Sequence, residues 1–176
     1  MRMNGFAAAA FGLTVLGAAL PASAVSLTAQ QAQDRAAIEE TMSRYMYALD
    51  TADPDAYASV YAPDGEIVLG KTVEHGREAL HKYVEGLRKN WKLPEGRHWG
   101  KTRHIYYNFT ADIHGDKALA QTYWQTLVAN PEGGAWKVLA TGTSEDSFVK
   151  IDGSWLIAKR VIHSDPAPAK ATASKE

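Results

Sequence analysis

The chain has 176 residues, of which 45% are hydrophobic and 22% charged, and its formal net charge is −1. This is the composition of an ordinary globular domain, and it excludes a collagen, a coiled coil and a chain that is disordered throughout. The nearly balanced charge gives no reason to expect a nucleic acid or an anionic membrane as partner. Because there is no cysteine, disulfides, a thiol nucleophile and thiolate-bound metals are excluded as well.

The N-terminal segment has the pattern of an export signal. Arg2 is followed by an apolar run over residues 6–20 and then by Ala22-Ser23-Ala24, which are the charge, apolar core and cleavage site of a secretory signal peptide. The alternative is an uncleaved anchor, but the run is too short for a comfortable membrane span. We expect residues 1–24 to be removed and the protein to be exported, to the periplasm or outside the cell, with no membrane attachment.

The first predicted element of the folded part is a helix from Thr28 to Asp50. Its apolar side chains recur at spacings of four, three and four residues, the period of a helix with one buried face; they are Ile38, Met42, Tyr45 and Leu49. Thr28 and Gln31 stand at the spacing of a capping box, in which each side chain accepts a hydrogen bond from the backbone N–H of the other residue.

A second, short helix is predicted directly after the first. Asp53 is placed to cap it and Pro54 to occupy its first position, and residues 62–65, Ala-Pro-Asp-Gly, predict the turn that ends it. Residues 66–69 are typical of a short strand. A third helix opens at residues 76–78, with an apolar side formed by Leu80, Val84 and Leu87.

Beyond residue 101 the hydrophobic period changes to two. Four strands are predicted over residues 104–113, 118–128, 135–150 and 154–163, with hairpin turns at Gly115-Asp116 and Asp152-Gly153. Helices followed by an antiparallel sheet predict an α+β fold in which the helices pack on one face of the sheet. We expect one domain over residues 25–164 and a loose Pro/Ala-rich tail over residues 165–176, which hold no bulky apolar side chain.

The order of these elements and several short motifs resemble the SnoaL-like branch of the NTF2-like superfamily. The motifs are Arg44-Tyr45 through Asp50, Ala62 to Gly65, Gly76 to Ala79, Arg103-His104 with Asn108, Gly115-Asp116, and Asp152 to Trp155 before Arg160. The resemblance implies a cone, or cystatin-like α+β barrel: a curved antiparallel sheet wrapped by N-terminal helices and open onto an apolar pocket. Many members dimerise through the sheet, so a homodimer is implied. Members include dehydratases, isomerases and cyclases as well as non-catalytic domains, so the fold leaves the activity open.

Three residues match acid–base residues of SnoaL-like dehydratases, such as the bile-acid dehydratase and scytalone dehydratase. The resemblance implies that Tyr45, Asp50 and His104 line the cone together, with His104 as general acid or base and Asp50 orienting it. Five residues on a regular helix separate Tyr45 and Asp50 by about 140°. They converge only if the helix end unwinds or the pocket wraps round it. The alternative is a core tyrosine, a helix-end carboxylate and a structural histidine.

Four further residues are candidates for contact with a substrate: Tyr57, Asn108, Trp124 and Arg160. Strict strand alternation places Asn108 on the same face as His104. Trp124 stands where the dehydratases have a second acid or base, and a tryptophan stacks on a flat or cyclic ligand but transfers no proton. Asp146 and Arg160 are expected to form a structural ion pair, with substrate binding by Arg160 as the alternative. The aromatic segment 91–101 is predicted to be a loop that could cover the pocket.

The sequence contains none of the common metal, nucleotide or hydrolase motifs, and we expect no cofactor. Three functions remain. The first is a cofactor-independent lyase or isomerase acting on a small cyclic or hydroxylated molecule. The second is a domain that binds a small apolar or cyclic ligand without catalysis, and the third is a module that dimerises through its sheet. The histidine–carboxylate match favours the enzyme, whereas Trp124 favours binding.

Overall fold

The computed structural model describes residues 26–91, 102–129 and 134–166, except for the side chain of Trp91. The elements are α1 (Ala29–Thr51), α2 (Pro54–Ser59), β1 (Tyr61–Leu69), β2 (Thr72–His75), α3 (Arg77–Trp91), β3 (Thr102–His114), β4 (Lys117–Val128), β5 (Lys137–Ile151) and β6 (Ser154–Ser164). The predicted signal peptide over residues 1–24, nearly all of the predicted loop over residues 91–101 and the predicted tail beyond residue 166 lie outside the described residues. Among the described helices, none is long and apolar enough to cross a membrane.

The predicted starts of the first two helices are confirmed. The backbone N–H of Gln31 donates to Thr28 Oγ1 at 3.2 Å, and the backbone N–H of Thr28 donates to Gln31 Oε1 at 3.0 Å, which is the complete capping box. Asp53 accepts a hydrogen bond of 3.0 Å from the backbone N–H of Ala56 at the start of α2. Both helices therefore begin where local side-chain chemistry satisfies their free N–H groups.

The six strands form one curved sheet that does not close into a barrel, in the order β2-β1-β6-β5-β4-β3. Strands β3 to β6 are the predicted antiparallel meander, and the α+β cone is confirmed. Two features were not predicted. The short, largely exposed strand β2 pairs with β1, and β1 runs parallel to β6.

The predicted turn at residues 62–65 lies inside β1. Strand β1 begins at Tyr61, and its register with β6 is irregular between Tyr61 and Glu66. A Cβ atom at Gly65 would come within 2.9 Å of the carbonyl oxygen of Ile157, so only glycine allows β1 to approach β6 this closely. The Pro-Asp-Gly signal therefore marks a distortion of a strand rather than a turn between elements.

Strand β3 contains a bulge at Asn108. Tyr107 pairs with Tyr123 and Thr110 pairs with Gln121, which leaves two residues of β3 opposite one residue of β4. Asn108 has a left-handed φ of 53°, a conformation that asparagine tolerates better than most residues. The extra residue shifts the alternation, so the inward-facing side chains are His104, Tyr106, Phe109, Ala111 and Ile113. The prediction of strict alternation along this strand is wrong, because a bulge flips the face of every residue beyond it.

The helices cover the inner face of the sheet and enclose the core. Its fully buried side chains include Ile38 and Met42 of α1, Leu80 and Val84 of α3, and Ile157 of β6. Burying side chains of this size contributes about 1.5–3 kcal/mol each. The core thus fixes the axes of α1 and α3 against the sheet and leaves the space between their C-terminal halves open.

A buried carboxylate attaches the N-terminal half of α1 to the hairpin of β5 and β6. Asp34 accepts hydrogen bonds of 2.8 Å from Lys150 Nζ and 2.8 Å from Trp155 Nε1. These two donors, together with Gln30, lower the pKa of Asp34 to about 2. The carboxylate therefore stays ionised through the physiological pH range and holds this end of the cone closed.

Candidate functional site

A cavity of about 360 Å³ lies between α1, α3 and the inner face of the sheet. Most of its wall is apolar, as predicted, and includes Met46, Leu49, Ile67, Leu69, Leu87 and Ile162. The volume is within the range of small-molecule pockets. The polar groups that reach this wall include Tyr45, His104 and Arg160.

His104 and Asp50 meet. His104 Nδ1 lies 2.7 Å from Asp50 Oδ1, and the backbone N–H of His104 donates to the same carboxylate at 3.0 and 3.2 Å. The side chain of Asp50 is 6% exposed and that of His104 21% exposed. A carboxylate only accepts hydrogen bonds, so this contact places a proton on Nδ1 and leaves Nε2 as the basic nitrogen. Asp50 thus fixes both the strand and the ring of His104.

The end of α1 does not unwind to bring these groups together. The helix continues to Thr51, and Tyr45 faces the cavity while Asp50 faces an open cleft on the other side of His104. His104 lines both spaces. Tyr45 and Asp50 therefore line two different spaces, and His104 is the predicted site residue that lines both.

Arg160 forms the predicted ion pair and also reaches the cavity wall. Its Nη1 lies 3.0 Å from both carboxylate oxygens of Asp146, and both side chains are buried. Its guanidinium carbon lies 4.7 Å from the centre of the Tyr45 ring. Burial raises the pKa of Asp146, and Arg160 partly offsets that effect. Burial is the largest influence on Arg160 and lowers its pKa, but Asp146 together with Tyr45, Tyr61 and Tyr57 outweighs it, so the pKa of Arg160 is raised.

Trp124 lies on the inner face of β4 and forms part of the cavity wall, as expected. Its Nε1 donates to the carbonyl of Thr143 at 3.0 Å, which spreads the ring across β5. Gly142 pairs with Trp124 and has no room for a side chain: a Cβ there would collide with the backbone carbonyl of His163 on β6 and would lie 2.7 Å from Trp124 Cζ2. Gly142 was missed because its role depends on a strand that is distant in sequence.

Two of the proposed substrate contacts are not on the cavity wall. Tyr57 is fully buried behind Tyr45, with the ring centres 5.2 Å apart, and its hydroxyl lies 3.2 Å from that of Tyr61. Burial raises the pKa of Tyr57 well above its usual 10.0, so it is a neutral core residue. Asn108 is exposed at the bulge of β3. Its predicted position failed because strand alternation does not continue through a bulge.

Two residues of the wall were not singled out from the sequence. Tyr83 lies on α3 between Leu80 and Leu87, on the apolar stripe that predicted that helix, and its ring faces the cavity. Burial raises its pKa to about 12. Thr126 pairs with His104 across the β3–β4 ladder. Strand alternation puts Thr126 on the same face of β4 as Trp124, and this pattern could have identified it as a wall residue.

Within the described residues, no group of three or more His, Asp or Glu side chains is arranged to hold a metal ion. The pairs His81–Asp55 and His114–Asp112 each join one imidazole to one exposed carboxylate. Two ligands are fewer than the three or four that protein metal sites normally supply. That the protein needs no cofactor stays a prediction.

A family model described as SnoaL-like domain matches residues 30–161. A Mycobacterium tuberculosis protein of unknown function has a TM-score of 0.68 and 24% identity over 82% of this chain and 84% of that one. A candidate scytalone dehydratase from Novosphingobium aromaticivorans has a TM-score of 0.66 and 23% identity over 80% and 89%. A Catenulispora acidiphila protein in complex with S-DNPA has a TM-score of 0.64 and 25% identity over 77% and 96%. No curated protein matches the chain.

Proposed function

The chain belongs to the SnoaL-like domain family, and we propose that it is a cofactor-independent lyase or isomerase of the dehydratase type. Its substrate is a small cyclic or hydroxylated molecule. The observation that carries this proposal is the 2.7 Å contact between Asp50 and His104 at the wall of an apolar cavity. A histidine held by a carboxylate beside such a cavity has the parts that proton transfer requires.

His104 is the proton-transfer group. With Nδ1 turned to Asp50, Nε2 is the nitrogen available to a ligand, and no hydrogen bond joins Nε2 to another described residue. When Nε2 takes a proton, the imidazolium is stabilised by the adjacent carboxylate. General acid–base catalysis of this kind contributes about 10²–10⁴-fold in rate.

Tyr45 is the group that stabilises developing negative charge. Its ring forms part of the cavity wall, and the guanidinium of Arg160 lies against the face of that ring. A hydroxyl that donates to the substrate oxygen strengthens its hydrogen bond as the adjacent carbon loses its proton. Arg160 contributes a positive charge near this point, and it is paired with Asp146 at 3.0 Å.

One base is sufficient for either reaction. Nε2 of His104 removes a proton from the carbon next to a carbonyl, and the C–H electrons move onto the carbonyl oxygen. In an elimination the imidazolium then gives that proton to a β-hydroxyl, which leaves as water while the carbon–carbon double bond forms. In an isomerisation the same proton returns to a different carbon. Both schemes restore neutral His104 and need no second acid or base in the place of Trp124.

Ligand binding without turnover is the second candidate function. It is favoured by the wall itself, where Trp124 offers a flat apolar surface and no exchangeable acid proton. The Catenulispora acidiphila relative is a complex with S-DNPA, which supports binding of a small ligand by this protein as well. Retention of ligand with no chemical change would be the signature of this function.

The test compares dyad variants against a matched histidine–aspartate pair on the same strand. Purified protein is incubated with a panel of cyclic β-hydroxy ketones and their dehydrated products; mass spectrometry follows gain or loss of water, and proton NMR follows isomerisation, which leaves the mass unchanged. His104→Ala is expected to lower the rate by about 10²–10⁴-fold. His114→Ala, which removes an exposed histidine 3.0 Å from Asp112, is expected to leave it unchanged. Full activity in His104→Ala would refute the assignment, and ligand binding without any conversion would favour the second function.

A homodimer is proposed on the outer face of the sheet. Four of its exposed apolar side chains are Tyr107, Leu119, Tyr123 and Val138, and an exposed apolar surface of this kind is typical of an interface. Export also remains a prediction. N-terminal sequencing of the protein recovered outside the cytoplasm is expected to begin at Val25, and an intact Met1 on a membrane-bound product would contradict it.

A further inference from the structure

We propose that Arg35 and Asn108 are positioning residues: they fix the bulge of β3, and the place of the bulge decides which way His104 points. β3 has one residue more than a regular ladder with β4 accommodates. Every side chain on one side of a bulge changes face if the bulge moves past it. His104 lies only four residues before Asn108, so the location of this bulge controls its orientation.

A competing arrangement is visible in the sequence pattern. If the bulge formed before His104, regular alternation back from Ile113 would turn Ile105 and Tyr107 inward and His104 outward. Ile105 and Tyr107 are apolar and are 39% and 41% exposed in the structure. Burying them would be favourable, so hydrophobicity alone does not select the observed arrangement. Specific contacts must hold the bulge where it is.

Arg35 supplies one such contact from α1. Its Nη2 donates to the carbonyl of Phe109, the second residue of the bulge, at 2.8 Å. Its guanidinium carbon lies 4.9 Å from the centre of the Phe109 ring, and its Nε lies 3.0 Å from Glu39 Oε1. The Arg35 side chain therefore contacts both the backbone and the ring of Phe109, and its ion pair with Glu39 fixes its position.

Asn108 supplies the backbone conformation. Its φ of 53° is in the left-handed region, which glycine and asparagine enter readily and β-branched residues do not. The residue itself is exposed, so its side chain is not needed for packing. The backbone conformation thus explains the asparagine at this position, which was expected to contact a substrate.

Arg35 and Asn108 act on His104 through the part of β3 that lies between the bulge and His104. Tyr106 donates to the carbonyl of Glu39 at 3.1 Å, and Asp50 then holds the backbone and ring of His104. The row of contacts from Arg35 to Asp50 keeps this stretch of β3 in a single register against α1. The inference concerns the orientation of His104 and rests on the proposed function only for its effect on turnover.

The experiment detects the orientation of His104 without a substrate. NMR of labelled full-length protein is used to observe the Nδ1–H proton of His104, which exists as a slowly exchanging signal only while the ring is bonded to Asp50. Arg35→Met keeps an apolar stem over Phe109 and removes the donor. Asn108→Val keeps the residue count and disfavours the left-handed conformation, whereas Asn108→Gly preserves it. Arg44→Met is the matched control, because Arg44 forms an equivalent ion pair with Glu40 on the exposed side of α1.

Asn108→Val is expected to shift the ratio of inward to outward His104 by about 5- to 30-fold, the equivalent of the 1–2 kcal/mol that a side chain loses in the left-handed region. Arg35→Met is expected to shift it in the same direction, with recovery in Arg35→Lys, while Asn108→Gly and Arg44→Met keep the single wild-type signal. A single wild-type signal in folded Arg35→Met and Asn108→Val overturns the proposal. If Asn108→Val does not fold, Arg35→Met decides alone, since it replaces a residue of α1 and puts no disfavoured residue at the left-handed position of β3. Absence of any enzymatic activity would refute the proposed function and leave this result standing.

Discussion

Substituting Arg160→Met is expected to destabilise the protein by about 3–5 kcal/mol, because it leaves the carboxylate of Asp146 uncompensated in the core. Arg160 Nη1 contacts both oxygens of Asp146 at 3.0 Å, and the two side chains are 1% and 0% exposed. After the substitution, the donor to Asp146 that remains among the described residues is Ser144 Oγ at 2.9 Å. One hydroxyl does not replace a guanidinium in a site that water does not reach.

The size of the loss depends on pH in a defined direction. Burial already raises the pKa of Asp146 above its usual 3.8, and Arg160 and Ser144 oppose that rise. Without Arg160 the pKa rises further. A carboxyl whose pKa is higher in the folded state than in the unfolded state destabilises the protein as pH increases above the unfolded value. The deficit of the variant is therefore smallest near pH 4 and grows toward neutral pH.

Urea denaturation at several pH values measures the free energy of unfolding of wild type, of Arg160→Met and of two further variants. Lys159→Met removes the neighbouring cation, whose 2.7 Å pair with Glu66 is partly exposed, and is expected to cost at most about 1 kcal/mol. The double variant Arg160→Met with Asp146→Leu is expected to recover most of the loss, because Ser144 keeps Thr122 as a partner at 2.7 Å. A loss below about 1 kcal/mol in the single variant, or a double variant no more stable than the single, would refute the reasoning.

Three other outcomes are expected. Gly142→Ala forces a Cβ against the backbone carbonyl of His163 and against the Trp124 ring. It is expected to destabilise the protein by about 1–3 kcal/mol, shift tryptophan fluorescence and weaken ligand binding. Gly86→Ala, with open space around it, is expected to be neutral or stabilising, and equal effects of the two variants in denaturation would contradict the packing argument. The pKa of Asp34 is about 2, so the stabilisation from its ionised carboxylate is complete above pH 3.8 and is lost as pH falls toward 2. Asp34→Asn is expected to have a lower melting temperature than wild type at neutral pH. A difference in melting temperature that is undiminished at pH 2 would contradict this expectation. Leu119→Lys, on the outer sheet face, is expected to convert a dimer to monomers in light scattering, and an unchanged mass would place the interface elsewhere.

Local chemistry explains why the helix starts and most turns were predictable. The capping box of Thr28 and Gln31 and the cap at Asp53 each involve residues three positions apart, so the sequence pattern contains the whole interaction. The same holds for Asp152-Gly153, where both residues have positive φ as a two-residue hairpin requires. The strand periods beyond residue 101 likewise predicted the meander, since one face of each strand had to be buried.

The candidate site was predictable only in part, for the same reason. A resemblance of motifs paired Asp50 with His104, which are 54 residues apart, but only the packing of α1 against β3 shows that they meet at 2.7 Å. Tyr57 was placed on the wall from the family resemblance. In the structure Tyr45 lies between Tyr57 and the cavity. No local sequence pattern reveals which of these two adjacent rings faces the cavity.

The sequence by itself determined the order of helices and strands, the helix starts and which faces of α1, α3 and β4 are apolar. Tertiary structure alone decided the parallel pairing of β1 with β6, the lack of room for a side chain at Gly142, and the bulge at Asn108 that turns His104 inward. Local propensities depend on residues within a few positions of one another, so they can be predicted from the sequence pattern. Register and bulge position depend instead on contacts between distant residues, such as the hydrogen bond from Arg35 to the carbonyl of Phe109, 74 residues away. Such contacts contribute free energy only after the distant segments have packed together.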